Sequence, residues 1–183
     1  MIVPPPLEGE ARRRLLQVHR HIGRFWERTR SVLAEHMLCT SGCDRCCRPA
    51  PRLRGVEAAL LLEGARGLGS RALDLVWAAL DGPAGACPLL HGGTCLAYDH
   101  RPAACRTHGL LLLRSPGGRV VLHHCSRNFA DVDPTGLPAS VYLDEERLRR
   151  LLDLVDALYG RQTGWAGRRV GVDDLLRSGL VRA

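Results

Sequence analysis

The chain has 183 residues, 45% of them hydrophobic, a formal net charge of +7 and eight cysteines, which predicts a single folded domain rather than a disordered or repeat-built chain. Apolar runs such as 58–62 and 109–113 fall well short of the ~20 residues that cross a bilayer. The start, Met1-Ile2-Val3-Pro4-Pro5-Pro6, lacks the basic-then-apolar pattern of a secretory leader; no membrane association is expected, and a cytoplasmic setting that keeps thiols reduced is.

Residues 4–9 form a Pro-rich lead-in. From Glu10 to Met37, the residues Leu15, Val18, Ile22, Phe25, Trp26, Val32 and Leu33 recur mostly at steps of three and four, which predicts an amphipathic helix over 10–37. Arg12, Arg13, Arg14, Arg20, Arg24, Arg28 and Arg30 make this segment basic. They read as a solvated face or, alternatively, as a surface for nucleic acid or an acidic protein partner. Aromatic content of only 4% and the lack of a nucleic-acid motif favour the solvated face. Of His19, His21 and His36, only His36 is close in sequence to the cysteine loop that follows.

That loop, Cys39 to Cys47, reads C-T-S-G-C-D-R-C-C. Cys43 and Cys46 have the C-x2-C spacing at which a tight turn brings two sulfurs to one ion, and Cys39 precedes them at C-x3-C. Cys46 and Cys47 are adjacent; in an extended backbone their side chains diverge, which assigns Cys47 to a second ion, a bridge or an open position.

Two helices are predicted next, over 56–65 with Val56, Ala59 and Leu60 apolar, and over 70–80 with Ser70 as its cap. A second cysteine stretch runs from Cys87 to His108, C-P-L-L-H-G-G-T-C-L-A-Y-D-H-R-P-A-A-C-R-T-H. Pro88, Gly92, Gly93 and Pro102 mark it as a loop built round something. Here Asp99 is expected to pair with Arg101, Arg45 or Arg48, and Tyr98 to pack over the site. Strands at 110–114 and 119–124, flanking Ser115-Pro116-Gly117-Gly118, predict a β-hairpin that returns Cys125 toward the site and makes His108, His123 and His124 candidate donors beside thiolates. Residues 131–138 are a turn-rich connector. A helix over 144–159 follows, capped by Asp144, stopped by Gly160 and buried through Leu148, Leu151, Leu152, Val155, Leu158 and Tyr159; a short helix near 173–177 ends the chain.

The eight cysteines Cys39, Cys43, Cys46, Cys47, Cys87, Cys95, Cys105 and Cys125 are the candidate metal ligands. Simple burial requires neither C-x2-C pairs nor Gly-rich spacers, and disulfides require an oxidising compartment. Thiolate ligation suits Zn2+ or an iron-sulfur cluster and discriminates against Mg2+, Ca2+ and Mn2+. Two zinc sites of four thiolates would use every sulfur, whereas one [4Fe-4S] cluster would leave thiols for a second ion or for redox chemistry. No Ser-His-Asp order or carboxylate pair supports a hydrolase, and no catalytic residue is assigned.

Cys39, Cys43, Cys46, Cys47 and Arg48, followed by Cys87-Pro88, Leu90, Cys95, Tyr98, Arg101-Pro102 and Cys105-Arg106, resemble the CxxCxxCC family, the YkgJ-type cysteine-cluster domains described as zinc- or iron-chelating. The resemblance covers roughly half of the chain, and the first spacing departs from the family name. It implies a metal site without naming a reaction; similar proteins include flagellin lysine methylases, which extends the expectation to methyl-transfer or iron-sulfur chemistry. Cys39, Cys43 and Cys46 also spell C-x3-C-x2-C, which resembles the cluster motif of radical S-adenosylmethionine enzymes. Here, however, the motif follows a helix, and the chain is too short for a ~250-residue (β/α)8 barrel.

The expected fold is mainly α with one small β-hairpin, helices packed round a cysteine-ligated metal centre. One domain is expected over 1–183, its cysteine core at 39–125 and the helices 10–37 and 144–159 packed on it. The expected function is metal binding at an iron-sulfur or zinc centre, with redox or group-transfer chemistry there. The competing reading is a zinc-stapled interaction module that binds nucleic acid or protein through the basic N-terminal helix.

Overall fold

The computed structural model describes residues 3–40, 42–83, 85–114, 117, 119–165 and 167–182. Helix accounts for 56% and strand for 11%, a mainly α chain as expected. In order the elements are α1 (Gly9–Leu33), β1 (Arg52–Arg54), α2 (Gly55–Arg66), α3 (Ser70–Asp81), β2 (Leu90–His91), β3 (Thr94–Cys95), α4 (Ala103–Thr107), β4 (Leu111–Arg114), β5 (Val121–His123), β6 (Tyr142–Asp144), α5 (Glu145–Thr163), β7 (Arg169–Gly171) and α6 (Val172–Gly179). Single 3-10 turns at Ala34–His36, Arg45–Cys47 and Tyr98–His100 carry parts of the cysteine region. Among the described residues no helix is long and apolar enough to cross a membrane.

The core is divided in two, and α2 is the wall between the halves. Val56, Ala59 and Leu60 face one cluster with Leu15, Ile22 and Phe25 of α1 and Leu148, Leu152 and Tyr159 of α5. Ala58, Leu61, Leu62 and Ala65 face the other, with Val76 and Leu80 of α3 and Leu175 and Leu176 of α6. A helix with apolar residues on two faces must be covered on both, and α2, with only Glu63 and Arg66 exposed, is therefore central rather than one-sided. Arg12 clasps Glu63 with a two-pronged ion pair at 2.5 and 2.8 Å, tying α1 to α2. The Tyr159 hydroxyl donates to Pro5 O at 2.5 Å and pins the Pro-rich lead-in.

Several expected boundaries shift for local reasons. α1 ends at Leu33 and passes into the 3-10 turn, and Val32 is exposed rather than buried. Asp144 caps α5 as expected, its Oδ1 accepting from Arg147 N at 2.8 Å. The helix does not stop at Gly160, which stays helical and buried; it stops at Gly164, whose φ of +73° closes it in the left-handed conformation. Leu151, expected inside, is exposed. Ser70 is the first residue of α3 and makes no side-chain cap, Gly69 holding the cap position.

β4 and β5 form the expected antiparallel hairpin, with Leu112 opposite His123; of its turn, 115, 116 and 118 lie outside the described residues. A strand not foreseen, β6, joins the free edge of β4 in parallel, with Leu112 beside Leu143. β1 and β7 pair antiparallel far from the hairpin, and β2 and β3 form a minimal hairpin through Gly92 and Gly93.

Glu57 links this frame to the cysteines. It is buried, its Oε2 meets Arg54 at 3.4 Å, and its Oε1 accepts from Ala103 N at 2.7 Å, the first amide of the short helix that carries Cys105. Glu57→Ala strands that amide and is expected to lower stability by about 2 kcal/mol in urea denaturation, while Glu57→Gln, which keeps an acceptor, recovers most of the loss.

Candidate functional site

All eight cysteines line one cavity of about 910 Å3, together with residues of α1, the 98–102 segment and α4. All are free thiols; Cys125 is buried and the other seven are half-buried. Four stretches far apart in sequence therefore deliver sulfur to one space, as their spacing led us to expect.

The stretches are seamed by backbone. Cys87 N donates to Cys47 O at 2.8 Å, so the two cysteine motifs meet directly. Within the first, Cys43 N donates to Thr40 O at 3.1 Å and Cys47 N to Asp44 O at 2.9 Å, winding 43–47 into turns. In the second, Leu90 N donates to Cys87 O at 2.9 Å and Leu96 N to Leu89 O at 2.8 Å, bringing Cys95 back beside Cys87. Cys105 N closes onto Pro102 O at 3.0 Å.

Asn128 anchors the third contact and was not foreseen. Fully buried, it accepts from Leu38 N at 2.9 Å through Oδ1, and its Nδ2 donates to Gly109 O at 2.7 Å and to Cys39 Sγ at 3.2 Å. Gly109 has φ +96°, and a Cβ there would lie 2.6 Å from Cys39 Sγ, so only glycine lets the chain pass this close to the sulfur. Phe129 N donates to His36 O at 2.7 Å beside it.

The adjacent pair departs from expectation. Arg45–Cys47 is a 3-10 turn rather than extended chain, so the two side chains do not diverge. The Cys47 thiol donates to Cys46, which makes Cys46 the readier thiolate and holds Cys47 protonated; Arg101 adds to the effect on Cys46. At Cys39, Cys87, Cys95 and Cys105 burial opposes ionisation. Burial pushes Cys105 up to about 12, with Cys46, Cys87 and Cys95 adding to it. Burial also pushes Cys87 up to about 11, against a Leu89 backbone amide that lowers it. Burial likewise raises Cys39, partly offset by the Asn128 hydrogen bond.

Among the described residues, no group of three or more His, Cys, Asp or Glu side chains is placed so that it could hold a metal ion. The sulfurs surround a space instead of converging on one point. The donor set itself suits soft cations, eight reduced thiols with no disulfide consuming any of them.

The other expected residues divide. Tyr98 and Arg101 line the cavity, with the Arg101 guanidinium 3.4 Å from the Tyr98 ring centre, while Tyr98 itself remains exposed. Asp99 makes no ion pair among the described residues; its carbonyl oxygen accepts from Arg106, and Arg48 pairs with Asp44 at 2.9 Å. His108 lines the cavity, whereas His123 and His124 do not, His124 turning Nδ1 to Cys125 O at 3.0 Å. His36 bonds Asp131 at 2.9 Å, also outside the cavity.

The histidine that does reach the cavity from α1 is His19. It is 5% exposed, and neither ring nitrogen has a hydrogen-bond partner. Burial, reinforced by the Arg106 charge, drives its pKa down to about 3, so the ring is neutral. The signal was its place beside the buried stripe of Leu15, Val18 and Ile22, where a polar residue is anomalous.

No family model, no curated protein and no solved structure matches the chain.

Two outcomes follow. Asn128→Ala leaves the buried Gly109 carbonyl and the part-buried Leu38 amide without their partner; it is expected to cost about 2 kcal/mol and to speed iodoacetamide alkylation of Cys39, an unchanged rate meaning that Cys39 is placed independently. His19 takes up a proton in the unfolded chain near 6.5 but in the folded one only near 3. Its contribution is thus complete above 6.5 and is lost as the pH falls toward 3, by up to about 1.4 kcal/mol per pH unit. Urea midpoints of His19→Leu should fall less steeply than the wild type across this window.

Proposed function

We propose that the protein is a metal-binding protein of the YkgJ-type cysteine-cluster kind, holding an iron-sulfur cluster or zinc through Cys39, Cys43, Cys46, Cys47, Cys87, Cys95, Cys105 and Cys125. The observation that carries this reading is that eight reduced thiols from four separate stretches line a single cavity. Cysteines retained only as small apolar residues would be dispersed through the two core clusters, not gathered round one cavity. A bound soft cation would favour the thiolate form that burial and mutual repulsion oppose, and cysteine sites commonly close only when the ion arrives.

A cluster would supply electron transfer or an open iron for group transfer of the methyl-transfer kind, and zinc would supply a structural staple or Lewis acidity. The chain's own residues have definable roles. Asn128 directs an amide N–H at Cys39 Sγ, and Arg127 approaches Cys43 Sγ at 3.9 Å. Arg101 lowers the pKa of Cys46 and counters the rise at Cys95 and Cys105, setting positive charge against negative sulfur.

The competing reading, a basic helix docking nucleic acid or protein, has less support. Arg12 is engaged by Glu63, and Arg13 and Arg14 share Glu10, so three of the seven arginines of the N-terminal basic run are paired within the chain.

Elemental analysis and a visible spectrum on anaerobically purified protein test the proposal. Iron with acid-labile sulfide is expected for a cluster, and stoichiometric zinc for a structural site. Cys43→Ser and Cys105→Ser should each lose most of the metal and lower the melting temperature; full metal retention in both variants would falsify the ligand assignment.

A further inference from the structure

The cavity is larger than ions require. At about 910 Å3 it falls in the range that encloses small organic molecules, and part of its lining is not sulfur. α1 contributes His19, Ile22, Gly23, Trp26, Glu27 and Arg30, one stripe of the helix at steps of three and four. Trp26 approaches the thiol end, since its ring and Cys39 Sγ both crowd the Cβ position of Gly109. His19 lies two turns, ~10 Å, back along the helix.

Three features at this end lack a partner or a packing reason. His19 is buried with both ring nitrogens unpaired, which native interiors rarely tolerate. The half-buried Arg106 guanidinium is held only by main-chain carbonyls, Nε on Arg101 O at 2.7 Å and Nη2 on Asp99 O; among the described residues no carboxylate pairs with it. Its charge reaches His19, and Trp26 Nε1 donates to its own carbonyl at 2.5 Å, which places Arg106 against this face of α1. Finally, Gly23 sits inside a helix, where glycine is unfavourable, yet a Cβ there would meet nothing within 4 Å. It faces open cavity and is exposed.

The charge balance has a sign. Among the described lining residues Arg30, Arg101 and Arg106 are cationic and Glu27 is the one carboxylate, exposed beside Gly23 and Arg30. Arg101 acts on the thiols, and Arg106 has no carboxylate at ion-pair distance among the described residues, the Asp99 carboxylate acting on it only from further off. A half-buried guanidinium without a direct ion-pair partner, next to a neutral imidazole able to donate one N–H, is complementary to a carboxylate or phosphate.

We propose that the end of the cavity between α1 and α4 binds a small organic anion, a carboxylate or phosphate ester with an apolar or aromatic body. Its charged group is taken by Arg106 and His19, and its body lies along Ile22 and Trp26 after entering across Gly23. This goes beyond metal binding and does not depend on which ion the thiols take.

The test uses the full chain as purified, with metal content measured on the same preparation. Phenyl phosphate, benzoate and uncharged phenol are titrated while melting temperature and tryptophan fluorescence are followed. At least one of the two anions should raise the melting temperature where phenol does not, and which one responds separates a phosphate from a carboxylate ligand. Arg106→Gln should weaken that binding about tenfold or more, the scale of a lost charge-assisted contact. Gly23→Met should abolish it while leaving the unliganded chain at least as stable as the wild type, since methionine is the better helix former and meets no neighbour. This second variant decides the matter even if Arg106→Gln folds poorly. No stabilisation by either anion beyond that of phenol, or unchanged binding in Gly23→Met, overturns the proposal. Anion binding by a preparation without metal would leave it standing and count against the metal reading alone.

Discussion

The hydrogen bond from the Cys87 amide to the Cys47 carbonyl closes a loop that contains both α2 and α3. Everything about the thiol cavity depends on that closure, because neither cysteine motif has a hydrophobic interior of its own. The loop stays closed because α2 is buried on two faces: one is held by α1 and α5, the other by α3 and α6. Cys87 and Cys95 pack on the second of these clusters, so the sulfur-bearing hairpin rests on apolar residues. Hydrophobic burial supplies the energy, and a small number of main-chain bonds convert it into position.

Buried polar side chains do the rest of the positioning. Glu57 fixes the start of α4, Asp156 accepts from Val56 N at 3.0 Å at the start of α2, and Asn128 joins Leu38, Gly109 and Cys39. In each case a side chain satisfies a backbone group that the fold has removed from water, an arrangement whose loss costs more than its presence gains. His19 is the exception, a buried polar ring with no such duty.

Much of the architecture could be read from local pattern. The α1 and α5 stripes, the Asp144 cap, the Gly92-Gly93 reversal and the β4–β5 hairpin each follow from a few neighbouring residues. What could not be read depends on distant partners. α2 is too short and too uniformly rich in Ala and Leu for periodicity to reveal that both faces are covered. β6 pairs in parallel with β4, and β1 antiparallel with β7, across separations that alternation cannot encode. At the site, all eight cysteines were evident from spacing. Asn128, the single asparagine of the chain, carried no signal because its partners Leu38, Cys39 and Gly109 are distant in sequence, and His36 was preferred to His19 on nearness in sequence although packing brings the more distant residue in.

Asn128 also bears on the order in which the molecule can be made. Cys39 leaves the ribosome long before the residue that holds it, and the loop that carries Asn128, after β5, must be in place before Leu38 and Gly109 find their shared partner. Loop-closure entropy places such distant contacts late in folding. During synthesis the first cysteine motif therefore exists as an open, reduced peptide. Protection of its thiols from oxidants in that interval has to come from the surrounding medium, not from the fold.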